Sequence, residues 1–211
     1  MGLLKKSMKN KAEQVARLKS NADVSALIRN RLKEFSSFES RPSSAWFGEL
    51  CFCIMTANAS AKGGMKAQEG VGEEGFMKLS EKELSKKLKD IGYRFPNVRA
   101  KYIAEARRHA LELKEIIGAM TSFEAREWLV ENIKGIGMKE ASHFLRNVGR
   151  TDLAILDKHI ICSMGKEVKA LTSERYLDIE KELNSLAKAT GTNLAELDLL
   201  LWYGQTGEVL K

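Results

Sequence analysis

Ile133-Lys134-Gly135-Ile136-Gly137-Met138-Lys139-Glu140-Ala141 joins two stretches whose apolar residues recur at helical intervals. Before it, Ala125, Leu129 and Ile133 share one face of a helix predicted over Ser122 to Ile133, with Thr121 or Ser122 as its cap. After it, Ala141, Phe144, Leu145 and Val148 mark the next helix. Gly135 and Gly137 allow a tight turn, a positive φ and close approach of the backbone to a ligand. Amides at the start of the second helix then face outward with the positive end of the helix dipole, which suits a phosphate. An ordinary corner between two helices needs the same glycines, so the hairpin taken alone fits either reading.

Working outward, the same periodicity covers most of the chain. Val24, Ile28, Leu32 and Phe35 share a helical face, as do Ile103, Ala106, Ala110, Leu113 and Ile117, and again Tyr176, Ile179, Leu183 and Leu186. Phe47, Leu50, Ile54 and Ala57 follow the pattern too, but Cys51, Phe52, Cys53 and Met55 make their helix apolar all round, so a central buried position is predicted. Alternating strand patterns are absent; the nearest is the short run Leu153 to Leu156. An all-α fold follows. Arg41-Pro42-Ser43-Ser44 ends the first helical region and offers a serine cap to the next. Gly63-Gly64 and Gly70-Val71-Gly72-Glu73-Glu74-Gly75 predict a mobile connection or a short helix with loose ends. Gly92-Tyr93-Arg94-Phe95-Pro96-Asn97 reads as a turn, and Gly149-Arg150-Thr151-Asp152 separates the hairpin unit from the segment after it.

Composition narrows the class. The chain has 211 residues, 44% of them hydrophobic, enough for one large domain or two small ones. No apolar run approaches the roughly 20 residues that span a bilayer. Met1-Gly2-Leu3-Leu4-Lys5-Lys6 lacks the apolar core of a signal peptide, so a soluble intracellular protein is expected. Cys51, Cys53 and Cys162 form neither a disulfide framework nor a Cys-x-x-Cys pair, and the first two read as buried thiols. A formal charge of +7 and a pI near 9.2 favour a polyanionic partner.

Two residues give the chain its chemical character. Lys139 stands where the second hairpin helix begins, and Asp157 opens Leu156-Asp157-Lys158-His159-Ile160, where a short apolar run gives way to a helix. A lysine there is commonly a surface residue or a phosphate contact, and an aspartate there is usually a helix cap. A hairpin that holds a phosphate, an amine that can attack a sugar carbon and a carboxylate that can manage the charge jointly point to chemistry on DNA.

These residues resemble the helix-hairpin-helix DNA glycosylases. Gly135-Ile136-Gly137-Met138-Lys139 matches that superfamily's hairpin, with lysine at the position that marks bifunctional glycosylase/lyases. Leu156-Asp157-Lys158-His159-Ile160 matches its aspartate segment, and the interval between the two agrees. The likeness runs from about Trp46 to the end. The four-cysteine iron–sulfur loop of the endonuclease III branch is missing. Within the superfamily the chain looks most like the archaeal-type 8-oxoguanine DNA glycosylase/lyases, through Glu49-Leu50-Cys51-Phe52-Cys53-Ile54-Met55-Thr56-Ala57-Asn58-Ala59-Ser60-Ala61, Gly92-Tyr93-Arg94-Phe95 and the ending Leu201-Trp202-Tyr203-Gly204…Val209-Leu210-Lys211.

The resemblance implies two helical lobes with an active-site cleft between them. One would span residues 42–150 and carry the hairpin, at about 122–148; residues 1–41 with 151–211 would form the other. It implies base excision from damaged double-stranded DNA by a flipped-out nucleotide. Lys139 attacks C1′ and forms a Schiff base, β-elimination cuts the strand, and Asp157 stabilises positive charge at the sugar. The terminal carboxylate of Lys211 would accept the N7–H that distinguishes 8-oxoguanine from guanine; Trp202 would stack on the base, with Phe95 as a second wall. Gly135 and Gly137 would hold the backbone and Asn58 the gap or the orphaned base, with His159 orienting its loop. No cofactor, metal or membrane is called for, and a cytoplasmic, nucleoid-associated monomer is expected. Two other readings stand beside it: a bifunctional glycosylase for oxidised pyrimidines, and a non-catalytic helix-hairpin-helix module that binds DNA by its backbone alone.

Overall fold

The structure is a computed structural model that describes residues 2–167 and 171–211. Among these the helices run α1 Gly2–Ser20, α2 Ala22–Ser36, α3 Ser43–Thr56, α4 Ala61–Lys78, α5 Glu81–Asp90, α6 Pro96–Ala106, α7 Leu113–Gly118, α8 Ser122–Asn132, α9 Met138–Asn147, α10 Lys158–Ser163, α11 Ser173–Thr190 and α12 Leu194–Thr206. No strand occurs among the described residues. The chain divides into two compact units, Ser37–Gly149 and Met1–Ser36 with Arg150–Lys211.

In the first unit α3 is the core. Every residue from Ala45 to Thr56 is buried, because an element apolar on all sides must be covered on all sides. α4 and α9 pack against it, and α6 and α7 complete the cover. Ser43 and Ser44 do not cap α3. Pro42 holds the N-cap position with no side-chain bond, and Ser43 Oγ instead accepts the N–H of Lys114 at 3.0 Å, closing the start of α7. The glycine-rich stretch is likewise helical, since α4 runs through it with one break at Gly72, where φ is 73°. Two of its glycines are packing residues: a Cβ on Gly64 would lie 2.8 Å from Thr56 Cγ2, and one on Gly70 would lie 2.6 Å from Ile91 Cδ1. Local rules read glycine as a breaker, whereas here its missing side chain lets helices approach. The periodic run from Ile103 to Ile117 is divided too, into α6, a 3-10 turn at Arg107–His109 and α7. Ala106, Ala110, Leu113 and Ile117 stay buried across the break.

A buried polar group fastens the end of α9 to this core. Glu49 accepts from Asn147 Nδ2 at 3.0 Å and from Gln68 Nε2 at 3.1 Å. Burial pushes the neighbouring Cys51 thiol well above its usual pKa, so it stays protonated. The second unit is built from α1 and α2 against α11 and α12, with α10 on α12. Its core includes Val24, Ile28, Tyr176, Ile179, Leu183, Leu186 and the leucines of α12.

Candidate DNA-processing site

α8 and α9 flank the hairpin as the sequence predicts. Thr121 caps α8 by accepting the Glu124 N–H while Glu124 accepts back from Thr121, a complete capping box. α8 stops at Asn132, and Gly135 turns the chain with φ at 82°. No other residue type fits there, because a Cβ on Gly135 would lie 2.5 Å from the Tyr102 ring and 3.0 Å from Arg99 Nη1.

α9 then begins with Gly137 at its N-cap. Having no side chain, Gly137 offers only half a capping box: its N–H donates to Glu140 Oε2 at 3.3 Å. One of the hairpin amides is therefore already engaged by a carboxylate. Lys139 lies in the first turn of α9 with its side chain 27% exposed, and its Nζ is 3.6 Å from Glu140 Oε1. Charged side chains this far from full hydration interact more strongly than a surface pair.

Around the hairpin lies an open basin of about 520 Å³ lined by Asn58, Phe95, Arg99, Tyr102, Gly135, Gly137 and Glu140, among others. Four sequence-predicted residues thus meet in one unit: Asn58, Phe95, Gly135 and Gly137. Asn58 is exposed and takes a positive φ of 58°, the conformation that asparagine tolerates best after glycine. Arg99 is a residue that sequence reasoning missed. Its Nη2 donates to the Ala57 carbonyl, its guanidinium lies 5.7 Å from the Tyr102 ring centre, and it is buried. Arg99 therefore ties the end of α3, beside Asn58, to the floor of the hairpin. Tyr93 supports the same corner by donating from its hydroxyl to the Met55 carbonyl, and burial pushes that phenol above its ordinary pKa, with Arg99 opposing.

In the other unit, Asp157 is the N-cap of α10, and its Oδ1 accepts the Ile160 N–H at 2.8 Å. Leu153 to Leu156, the extended run leading to it, is buried without a strand partner. Backbone groups of Ala154 and Leu156 bond to α11 instead. Glu180 Oε1 accepts from Ala154 N–H at 2.8 Å, and the Tyr176 hydroxyl donates to the Ala154 carbonyl at 2.6 Å while accepting from Leu156 N–H at 3.3 Å. The sequence puts Tyr176 in a core stripe and gives Glu180 no role; no local signal pairs them with a segment twenty or more residues away. Trp202 is half-buried, and its ring meets the edge of His159 with centres 4.6 Å apart. His159 therefore bridges the aspartate helix to α12, in keeping with a structural role. The Trp202 Nε1–H is buried without a hydrogen-bond partner among the described residues. Lys211 is partly exposed in the same unit.

Comparison with known proteins places this geometry. Residues 28–192 match the family described as 8-oxoguanine DNA glycosylase. The chain is 46% identical to the 8-oxoguanine DNA glycosylase/AP lyase of Methanocaldococcus jannaschii, over 90% of its own length and 95% of the relative's. Identity to the Korarchaeum cryptofilum enzyme of the same name is 45%, over 93% and 96%. The structure superimposes with a TM-score of 0.91 on the M. jannaschii glycosylase/lyase solved with 15-mer DNA containing 8-oxoguanine, at 43% identity and covering 95% of this chain and 99% of that one. The Thermotoga maritima 8-oxoguanine DNA glycosylase gives 0.90 at 40% identity, covering 97% and 100%. The chain belongs to the 8-oxoguanine DNA glycosylase family. No helix among the described residues is long and apolar enough to cross a membrane.

Proposed function

We propose that this protein excises 8-oxoguanine from duplex DNA and then cuts the strand at the resulting abasic site. The observation that carries the reading is a part-buried lysine, Lys139, in the first turn of the helix that leaves a glycine hairpin. Family membership supplies the substrate class, since relatives covering nearly the whole chain carry both activities in their names.

In this reading the hairpin around Gly135 and Gly137 holds the DNA backbone while the damaged nucleotide leaves the stack. The neutral amine of Lys139 bonds to C1′; the C1′–N9 bond breaks, and its electron pair departs with the base. Ring opening leaves a protonated imine. Loss of a C2′ proton then breaks the C3′–O bond and releases the 3′ side of the strand. Asp157 stabilises positive charge at the sugar, a task its cap hydrogen bond does not prevent, because only one carboxylate oxygen is engaged by Ile160. Trp202 and Phe95 contact the base, Lys211 reads it, and Asn58 meets the vacated position. The enzyme works on the chromosome, in the cytoplasm at the nucleoid.

Borohydride trapping tests this directly. A duplex containing 8-oxoguanine should yield a covalent adduct with the wild-type protein. Lys139→Gln should yield none, and should lose base release and strand cleavage while still binding DNA. Excision retained by the variant removes Lys139 as nucleophile. An adduct with thymine glycol in place of 8-oxoguanine moves the substrate to oxidised pyrimidines, and no adduct with either leaves a binding module.

A further inference from the structure

We propose that Glu140 is a positioning residue for the strand-cutting half of the reaction, its carboxylate holding the Lys139 nitrogen in the cationic, imine-linked state. This rests on the reading of Lys139 as nucleophile. Adjacent residues on a helix diverge and do not ordinarily face each other. Here they do: Glu140 Oε1 lies 3.6 Å from Lys139 Nζ. The contact arises because Glu140 folds back over the helix start, where Gly137 N–H fixes Oε2 at 3.3 Å.

Two other helix starts show what capping alone requires. Glu83 and Glu124 each bind the N–H and the hydroxyl of their N-cap residue, Ser80 or Thr121, and the hydroxyl contact is 2.7 Å in both. At α9 the N-cap is glycine, so Oε2 is held by the N–H alone, and the other oxygen faces the lysine. Glu140 is also the better shielded partner, 15% exposed against 27% for Lys139, and it lines the basin at the hairpin.

The chemistry gives this charge a use. Attack on C1′ uses the lysine as a neutral amine. Once the base has left and the ring has opened, the same nitrogen carries a full positive charge as C1′=N⁺. That charge draws in the C2′–H electron pair as the proton goes to solvent, and the C3′–O bond breaks with its pair on the phosphate oxygen. A fixed carboxylate beside the nitrogen favours this cation over its neutral forms. Glu140 touches neither sugar nor base; it acts through Lys139.

Glu140→Gln keeps an oxygen for Gly137 N–H and removes the charge; Glu140→Ala removes both. Base release and strand cleavage are followed separately in single turnovers on an 8-oxoguanine duplex, with DNA affinity and thermal melting alongside. Glu140→Gln should lower the ratio of strand cleavage to base release about tenfold, a modest loss for one close, partly shielded charge. Glu140→Ala should add a loss of stability and DNA affinity. An unchanged ratio of cleavage to base release in Glu140→Gln, whether both rates hold or both fall, overturns the proposal and leaves Glu140 a cap. Wild-type protein that forms no borohydride adduct defeats the enzyme reading itself, before any variant is compared.

Discussion

Replacing Tyr176 by phenylalanine tests how Asp157 is held. The change removes one oxygen and leaves the ring, so it opens no substantial cavity in the α11 core. Two hydrogen bonds go with it: the donation to the Ala154 carbonyl at 2.6 Å and the acceptance from Leu156 N–H at 3.3 Å. Both backbone groups lie in buried residues with no ladder to take them up. A buried polar group left unpaired costs about 1–3 kcal/mol. The long Leu156 contact belongs at the low end, which gives a combined loss of about 2–4 kcal/mol. Ala154 keeps its bond to Glu180, so the segment loosens without being released. Urea unfolding of Tyr176→Phe measures the stability loss, and single-turnover excision at a temperature where the variant is fully folded measures the effect on Asp157. Base release should slow by about tenfold, equivalent to roughly 1.4 kcal/mol of misplaced transition-state stabilisation. A stability change below about 0.5 kcal/mol together with wild-type excision would show that the segment holds itself in place.

Gly135→Ala should destabilise the protein by about 1–3 kcal/mol, from the positive φ and the clash with Tyr102, and weaken DNA binding; calorimetry and fluorescence anisotropy measure the two, and unchanged binding would separate the hairpin from the DNA. Asp157→Asn should change stability by less than about 1 kcal/mol, since asparagine caps a helix about as well as aspartate, yet slow base release by about a hundredfold or more. Parallel falls in both quantities would assign Asp157 to the helix alone.

The fold class was open to sequence reasoning because helical burial leaves a repeating apolar mark. The stripes containing Val24, Phe47 and Tyr176 are helices, and the all-apolar α3 is central to its unit. The hairpin and the cap position of Asp157 were readable for the same reason: both are local patterns, enforced by backbone groups a few residues apart. What stayed hidden depends on neighbours distant in sequence. Gly64 and Gly70 look like breakers until Phe52, Thr56 and Ile91 are brought against them. Arg99 looks like a surface arginine until the Ala57 carbonyl arrives. Glu140 lies between these cases, because a glutamate three residues after a helix-starting glycine is a visible half of a capping box.

The glycines of α4 carry a consequence for local stability. Gly63, Gly64, Gly70, Gly72 and Gly75 all fall between Ala61 and Lys78, and each disfavours a helix by about 0.8–1 kcal/mol relative to alanine. A segment so composed has no helical tendency of its own and borrows its shape from the apolar wall it lies on. Amides of α4 should therefore exchange with solvent sooner than those of α3, since the smallest residues of this unit leave its second helix reliant on the first.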